Sequence, residues 1–353
     1  MKLIEVLDGG LLTTVQDRGR YGYQRYGVPV SGGMDPFALR AANRLAGNDE
    51  GAALLELTLL GPRLRFLAPA TIAVAGADLG ASLDGQPLSP WQRALARAGA
   101  ELSFGGPKDG VRAYLAVRGG IDVPLVLGSR STYLRSKLGG YEGRALRAGD
   151  VVEGTGEASP GPREAEASRH IFTPPVHGHF TPPVYGHEHV LRVLLGPQDD
   201  RFTAAGLRTF LSSTYTVTPQ SDRMGYRLAG PTIEHTAGPD IVSDGSPLGG
   251  VQVAGDGVPI VLLADRGTAG GYTKIATVIS ADVGRLSQAA PGDAVRFEQV
   301  TLPEAWEAVR EQEAWLEAMA GKRSARSESG PYLDRARRAA AAAAAVARVL
   351  DEM

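Results

Sequence analysis

Four stretches of the chain set charged and hydroxyl side chains in glycine-rich turns, where a side chain can reach a ligand and the backbone can approach it closely. They are TTVQDRGR (13–20), VPVSGGMD with AANRLAGN (28–48), QSDRMGYRLAG (220–230) and IVSDGSPLGGVQVAGDGVPIVLLADRGTAGGYTK (241–274). Arg223, Arg266 and Lys274 are cations suited to clamp an anion, and the planar guanidinium is the better shaped for a carboxylate. Asp222, Asp244 and Asp265 are acids able to move a proton or orient a metal. Gly270 and Gly271 leave room for backbone N–H donors to meet a phosphate. Gln16, Asp17, Arg18, Ser31, Ser243, Gln252, Thr268 and Tyr272 add polar reach toward a small molecule. The same Asp-Arg neighbours also suit structural ion pairs and loop-holding bonds. Glu56, inside the apolar run ALLELTLLG, is either a paired buried carboxylate or a pocket acid, while Asn43 and Asn48 read as turn and cap residues.

Several chemistries are absent. The chain of 353 residues has no cysteine, hence no disulfide, thiol nucleophile or Cys-ligated metal. None of the lysines lies in a phosphate-binding G-x-x-x-x-G-K-[ST] loop, and there is no G-x-S-x-G elbow or H-E-x-x-H helix. The Met-Lys-Met context of a biotin-attachment lysine is missing, so no covalent biotin is expected here. A net charge of -2 gives no general attraction to nucleic acid or to an anionic membrane. No stretch reaches the roughly 18 apolar residues of a membrane span, and a cytoplasmic setting is expected.

The elements that must position these residues are mainly β. The chain holds 46 glycines and 23 prolines, many of them between short runs such as TIAVAG (71–76), RAYLAV (112–117) and PIVLLAD (259–265). Such runs are too short for buried helices and read as strands joined by tight turns. Two helices stand out. One is capped by Asp35, opens with Pro36 and stops at Gly47-Asn48; the other is expected from Asp199 to Leu211. VRGGIDVPLVLGSRST (117–132) echoes VAGDGVPIVLLADRGT (253–268), and RAGDVV (147–152) echoes APGDAVRF (290–297), which suggests a duplicated β domain. The expected organisation is a β domain over 1–155, a Pro/Gly/His linker over 156–189, a second β domain over 190–300 and a helical tail over 301–353. In the linker, FTPPVHGH (172–179) is followed by FTPPVYGH (180–187); slipped duplication explains this better than a metal site built from His177, His179, His187 and His189.

In this order and spacing, the four motifs resemble the allophanate hydrolase subunit 2 family, also called the biotin-dependent carboxyltransferase family, over about residues 3–300. That resemblance implies two cyclophilin-like β-barrel domains with a few short helices, to which the helical tail is added. It implies a subunit of an ATP-dependent 5-oxoprolinase, working with an allophanate hydrolase subunit 1-like protein (the B-type component of such enzymes) and an A-type component. ATP would be shared with the partner, and Mg is its candidate companion. The alternatives within the resemblance are a carboxyltransferase subunit of the urea or allophanate type, and a non-catalytic regulator that binds a kinase inhibitor. Two departures bear on substrate. Residues 265–272 read DRGTAGGY where such sequences read close to DRQTTGGY, and Asp244 stands where Glu is usual. Opening a lactam is hard because resonance stabilises the amide; phosphorylation of its carbonyl oxygen would create a leaving group, and such a transfer needs cations and backbone donors held in place.

Overall fold

In a two-faced strand, alternate residues part company, and the strand Leu54–Thr58 shows what that does here. Leu55 and Leu57 point into a core shared with Leu115, Phe66 and Leu102. Leu54 and Glu56 point the other way, toward a helix. The computed structural model describes residues 1–156 and 182–319. His177, His179 and the expected helix over 333–352 lie outside the described residues. Met1–Ala320 form one compact unit.

Among the described residues the protein is mainly β. The strands of the first half divide into a six-stranded and a five-stranded sheet around one apolar core. The strands of the second half close into a seven-stranded barrel, sealed by parallel pairing of Glu188–Leu195 with Ala294–Gln299. The first strand of the barrel starts at Glu188. A separate two-stranded antiparallel ribbon pairs Asp240–Gly245 with Ala269–Tyr272.

Helix α1 (Pro36–Ala46) is built as its local signals dictate. Asp35 accepts a hydrogen bond from the Ala38 N–H at 3.0 Å, Pro36 occupies the first turn, and Gly47 ends the helix with φ 81°. Its apolar face covers the outer side of the five-stranded sheet through Leu39, Ala42 and Leu45. The second expected helix is displaced. Asp199–Arg201 form a 3-10 turn, and α2 spans Ala204–Ser212. The Thr203 hydroxyl, accepting from the Gly206 N–H at 2.9 Å, supplies the cap, so the helix starts five residues after Asp199. Helix α3 (Ser280–Ser287) and helix α4 (Leu302–Met319) complete the set. Helix α4, the start of the tail, packs Trp315 against Phe37 and Trp91 at ring separations of 4.6 and 5.5 Å.

The two sequence echoes behave differently. In the Gly-Asp turns, Gly149 and Gly292 both take positive φ (90° and 99°), which a glycine adopts without the steric cost of a Cβ. In both turns the aspartate closes the loop on the N–H three residues earlier: Arg147 donates to Asp150 at 2.9 Å and Ala290 to Asp293 at 2.7 Å. The longer echo diverges. Pro259–Leu262 form a barrel strand, whereas the matching segment near Pro124 is a loop stitched by isolated bridges.

Asp293 also receives the end of the linker. His187 Nδ1 lies 2.8 Å from its Oδ1, and His189 Nε2, fully buried, lies 3.2 Å from its Oδ2. Burial holds the His189 imidazole below its ordinary value, with Asp293 opposing the shift. A histidine depressed in the folded state contributes its stability above the unfolded value of about 6.5 and loses it as pH falls through the folded value. Urea midpoints are therefore expected to decline on acidification below about pH 6.5, and His189→Gln to flatten that decline. Equal slopes for variant and wild type would remove His189 from the account.

Candidate functional site

The two halves meet on one buried guanidinium. Arg223 Nε donates to Asp265 Oδ2 at 2.9 Å and Nη2 to Asp265 Oδ1 at 3.2 Å, while Nη1 donates to Glu56 Oε1. Nη2 also donates to the Gly32 carbonyl at 2.6 Å. Glu56 Oε2 accepts from the Met34 N–H at 2.7 Å and from the Tyr114 hydroxyl at 2.9 Å. Tyr114 can do this because it sits directly opposite Glu56 in neighbouring antiparallel strands. Burial alone would lower the Arg223 pKa; the carboxylates of Asp265 and Glu56 outweigh it and raise it. Burial raises that of Tyr114 well above its ordinary value, so the phenol stays a neutral donor. Glu56 is thus the paired buried carboxylate of the two readings left open by its sequence.

A second seam lies nearby. The Gln288 carbonyl oxygen accepts from the N–H groups of Val111 and Arg112 at 3.1 and 2.9 Å, and its amide donates to Asp35 at 3.0 Å. Arg112 in return donates to the Tyr226 hydroxyl at 2.6 Å and to the Ser287 carbonyl.

A cleft of about 750 Å³ opens between the halves. Gln24, Arg25 and Gly27 line it from the first half; Pro197, Gly245–Pro247, Thr268, Ala269 and Lys274 line it from the second. Lys274 is fully buried, and its Nζ lies 3.4 Å from Asp244 Oδ2 without hydrogen-bond alignment. Asp244 sits on the exposed two-stranded ribbon, where the Gly245 N–H and then the Lys274 charge hold its carboxyl below the usual range. Gly270 faces Asp244 across the ribbon, and a Cβ there would come within 2.6 Å of Gln252 Nε2, so a larger residue would require that side chain to shift.

The expected site residues fall into three groups. Lys274, Asp244, Thr268, Gly270 and the buried Gln252 gather at or beside the cleft, with Ser243, Gly271 and the exposed Tyr272 on the adjoining two-stranded ribbon. Arg223, Asp265, Glu56 and Ser31 belong to the buried seam; the Ser31 N–H donates to the Ala264 carbonyl at 3.1 Å, with φ 56°. The rest lie elsewhere. Asp17 accepts from the Ser129 hydroxyl at 2.7 Å and from the Arg130 N–H at 2.6 Å, pinning a loop, and Gln16 donates to the Thr132 carbonyl at 3.2 Å. Arg18 is half-buried. Asp222 is exposed and accepts from the Met224 N–H at 2.7 Å; Arg266 is the exception, buried beside the cleft with its Nε donating to the carbonyl of the cleft-lining Ser246 at 2.8 Å. Sequence reasoning passed over Arg25 and Tyr114. The glycines on either side of YQRY and a tyrosine within the apolar run AYLAV were the available signals.

Residues 26–299 match the model of the carboxyltransferase domain, subdomains A and B. The chain belongs to that carboxyltransferase family. It is 37% identical over 318 residues to the C subunit of 5-oxoprolinase from Escherichia coli (strain K12), covering 90% of this chain and 98% of that protein. It is 34% identical over 336 residues to the urea amidolyase of Lachancea kluyveri, covering 89% of this chain but 18% of that protein. Among solved carboxyltransferase-like structures, TTHA0988 superposes with TM-score 0.73 at 37% identity over 84% of this chain, which spans 56% of that one. The K. lactis urea amidolyase superposes with TM-score 0.82 at 32% identity, over 94% of this chain and 21% of its own.

The seam carries a stability prediction. Arg223→Ala leaves two buried carboxylates without their cation and should cost about 3–5 kcal/mol in denaturant unfolding. Arg223→Lys, which keeps the charge but not the fork, should fall between that variant and wild type. A loss under about 1 kcal/mol for Arg223→Ala would mean that the ion bridge does not hold the halves.

Proposed function

We propose that this chain is the C-type component of an ATP-dependent 5-oxoprolinase, which opens 5-oxoproline to glutamate with a subunit 1-like partner and an A-type component. The observation that carries this reading is the likeness, over almost their entire length, to two proteins named as the C subunit of 5-oxoprolinase, from E. coli and Haemophilus influenzae. The inter-half cleft supports it, since Lys274 and Arg25 present positive charge where a substrate carboxylate or a phosphate would sit. ATP, shared with the partner protein, supplies the phosphoryl group that turns the lactam oxygen into a leaving group. On this chain Lys274 would hold the anion, and the backbone around Gly270 and Gly271 would approach it. Arg223 and Asp265 act at one remove, keeping the two lips of the cleft in register.

The described residues hold no cluster of three or more His, Asp or Glu side chains able to bind a metal, so no step is assigned to a metal on this chain. A cytoplasmic location suits an ATP-consuming complex, and no helix among the described residues is long and apolar enough to cross a membrane.

The urea amidolyase likeness favours a second reading, a carboxyltransferase component that acts on a urea-like amide with carboxybiotin carried by another protein. Reconstitution with the two partner proteins separates them. The proposed complex should couple ATP hydrolysis to glutamate release, and Lys274→Met should lower the coupled rate about 10²-fold or more while melting near wild type. A complex that ignores 5-oxoproline and carboxylates urea-like amides would replace the first reading by the second.

A further inference from the structure

Lys274 is a buried cation whose counter-ion is poorly attached. The side chain has no exposed surface, and among the described residues its Nζ makes no aligned hydrogen bond. Leaving an ammonium in such a place is costly unless an anion lies close. The anion that does so, Asp244, has a side chain 54% exposed at 3.4 Å. Its remaining attachments are weak or local: Gln198 Nε2 donates to Oδ2 at 3.4 Å, and the adjoining Gly245 N–H donates to Oδ1 at 2.6 Å. The two-stranded ribbon that carries it is irregular in register between Asp240 and Asp244 and exposes 93% of Val242. By contrast, the lysine is fixed from below, its N–H donating to Gln198 Oε1 at 3.0 Å within a barrel strand. The cleft opens beside this pair, with Arg25 on its opposite lip.

We propose that Asp244 is an internal stand-in for the ligand's anion, and that a carboxylate or phosphate entering the cleft takes Lys274 from it. The exchange is favourable for an anion because Asp244 returns to water at little cost while the buried ammonium keeps a partner. A neutral ligand of the same shape offers no such replacement, since it would separate Lys274 from Asp244 and leave the ammonium unpaired. The cleft therefore selects for negative charge, and Asp244 sets the threshold. This inference rests on the cleft being the ligand site of the proposed function.

The test is calorimetric titration of the full chain with 5-oxoproline, with 2-pyrrolidinone as the same lactam without its carboxylate, and with inorganic phosphate. Asp244→Asn should tighten the anion's binding roughly tenfold, Lys274→Met should abolish it, and 2-pyrrolidinone should bind neither wild type nor variant measurably. Tightening for 5-oxoproline alone identifies the displaced group's rival as a substrate carboxylate; tightening for phosphate identifies it as a phosphoryl oxygen. The inference is overturned if Asp244→Asn leaves anion affinity unchanged or weaker, if 2-pyrrolidinone binds as well as 5-oxoproline, or if no anion binds either protein. If the exchange behaves as expected but the reconstituted complex opens no 5-oxoproline, the counter-ion mechanism stands and the proposed reaction falls.

Discussion

The structure depends on one charge being shared across a seam. Arg223 enters from the barrel half, and its donors are taken by Asp265 of its own half and by Glu56 and the Gly32 carbonyl of the other. A buried ion group of this kind is costly unless every member is in place, so it fixes the relative position of two otherwise separate β folds. Met34, whose N–H donates to Glu56, carries the coupling into packing, since its side chain belongs to the apolar core of the barrel. The cleft lined by residues of both halves inherits its width from this arrangement.

Two cations that look alike in the sequence are therefore placed under opposite conditions. Four donor bonds of Arg223 go to protein acceptors, which makes the residue a brace across the seam. Lys274 is just as buried, but its counter-ion is exposed and 3.4 Å away. Reactivity toward an outside anion follows from this difference in satisfaction. Neighbours in sequence divide in the same way: Asp222 turns outward to close its own loop while Arg223 turns inward to the seam.

Much of the β architecture was legible because the strands are short apolar runs bounded by glycine and proline, and α1 because its cap, first-turn proline and terminal glycine are all local. Of the residues in the polar motifs, Lys274 and Thr268 line the cleft, and Asp244 pairs with Lys274 beside it. What was not legible depends on distant partners. Glu56 could be assigned to a pair only once Arg223 was found beside it, and Arg25 lines the cleft only because its turn is brought opposite the barrel. The echo near Pro124 failed as a strand for a related reason. Asp17, from far upstream, takes the hydroxyls of Ser129 and Ser131 and the Arg130 N–H, and so commits that segment to a pinned loop.

Helix α4 lies beyond the span matched by the carboxyltransferase model, yet it touches both halves. Arg40 of α1 is paired with Glu313, Arg44 donates to the Leu316 carbonyl at 2.8 Å, and Gln312 donates to the Ala281 carbonyl of α3 at 2.8 Å. Ala305 and Ala308 join an apolar cluster with Ile279 and Ala281, while Leu316 and Met319 join the one beneath α1. The helix is thus a splint laid across the joint on the side of α1 and α3. Its consequence is thermodynamic: neither half can lose its structure without stripping a partner from the other, so the two β folds are expected to melt as a single cooperative unit instead of two independent ones.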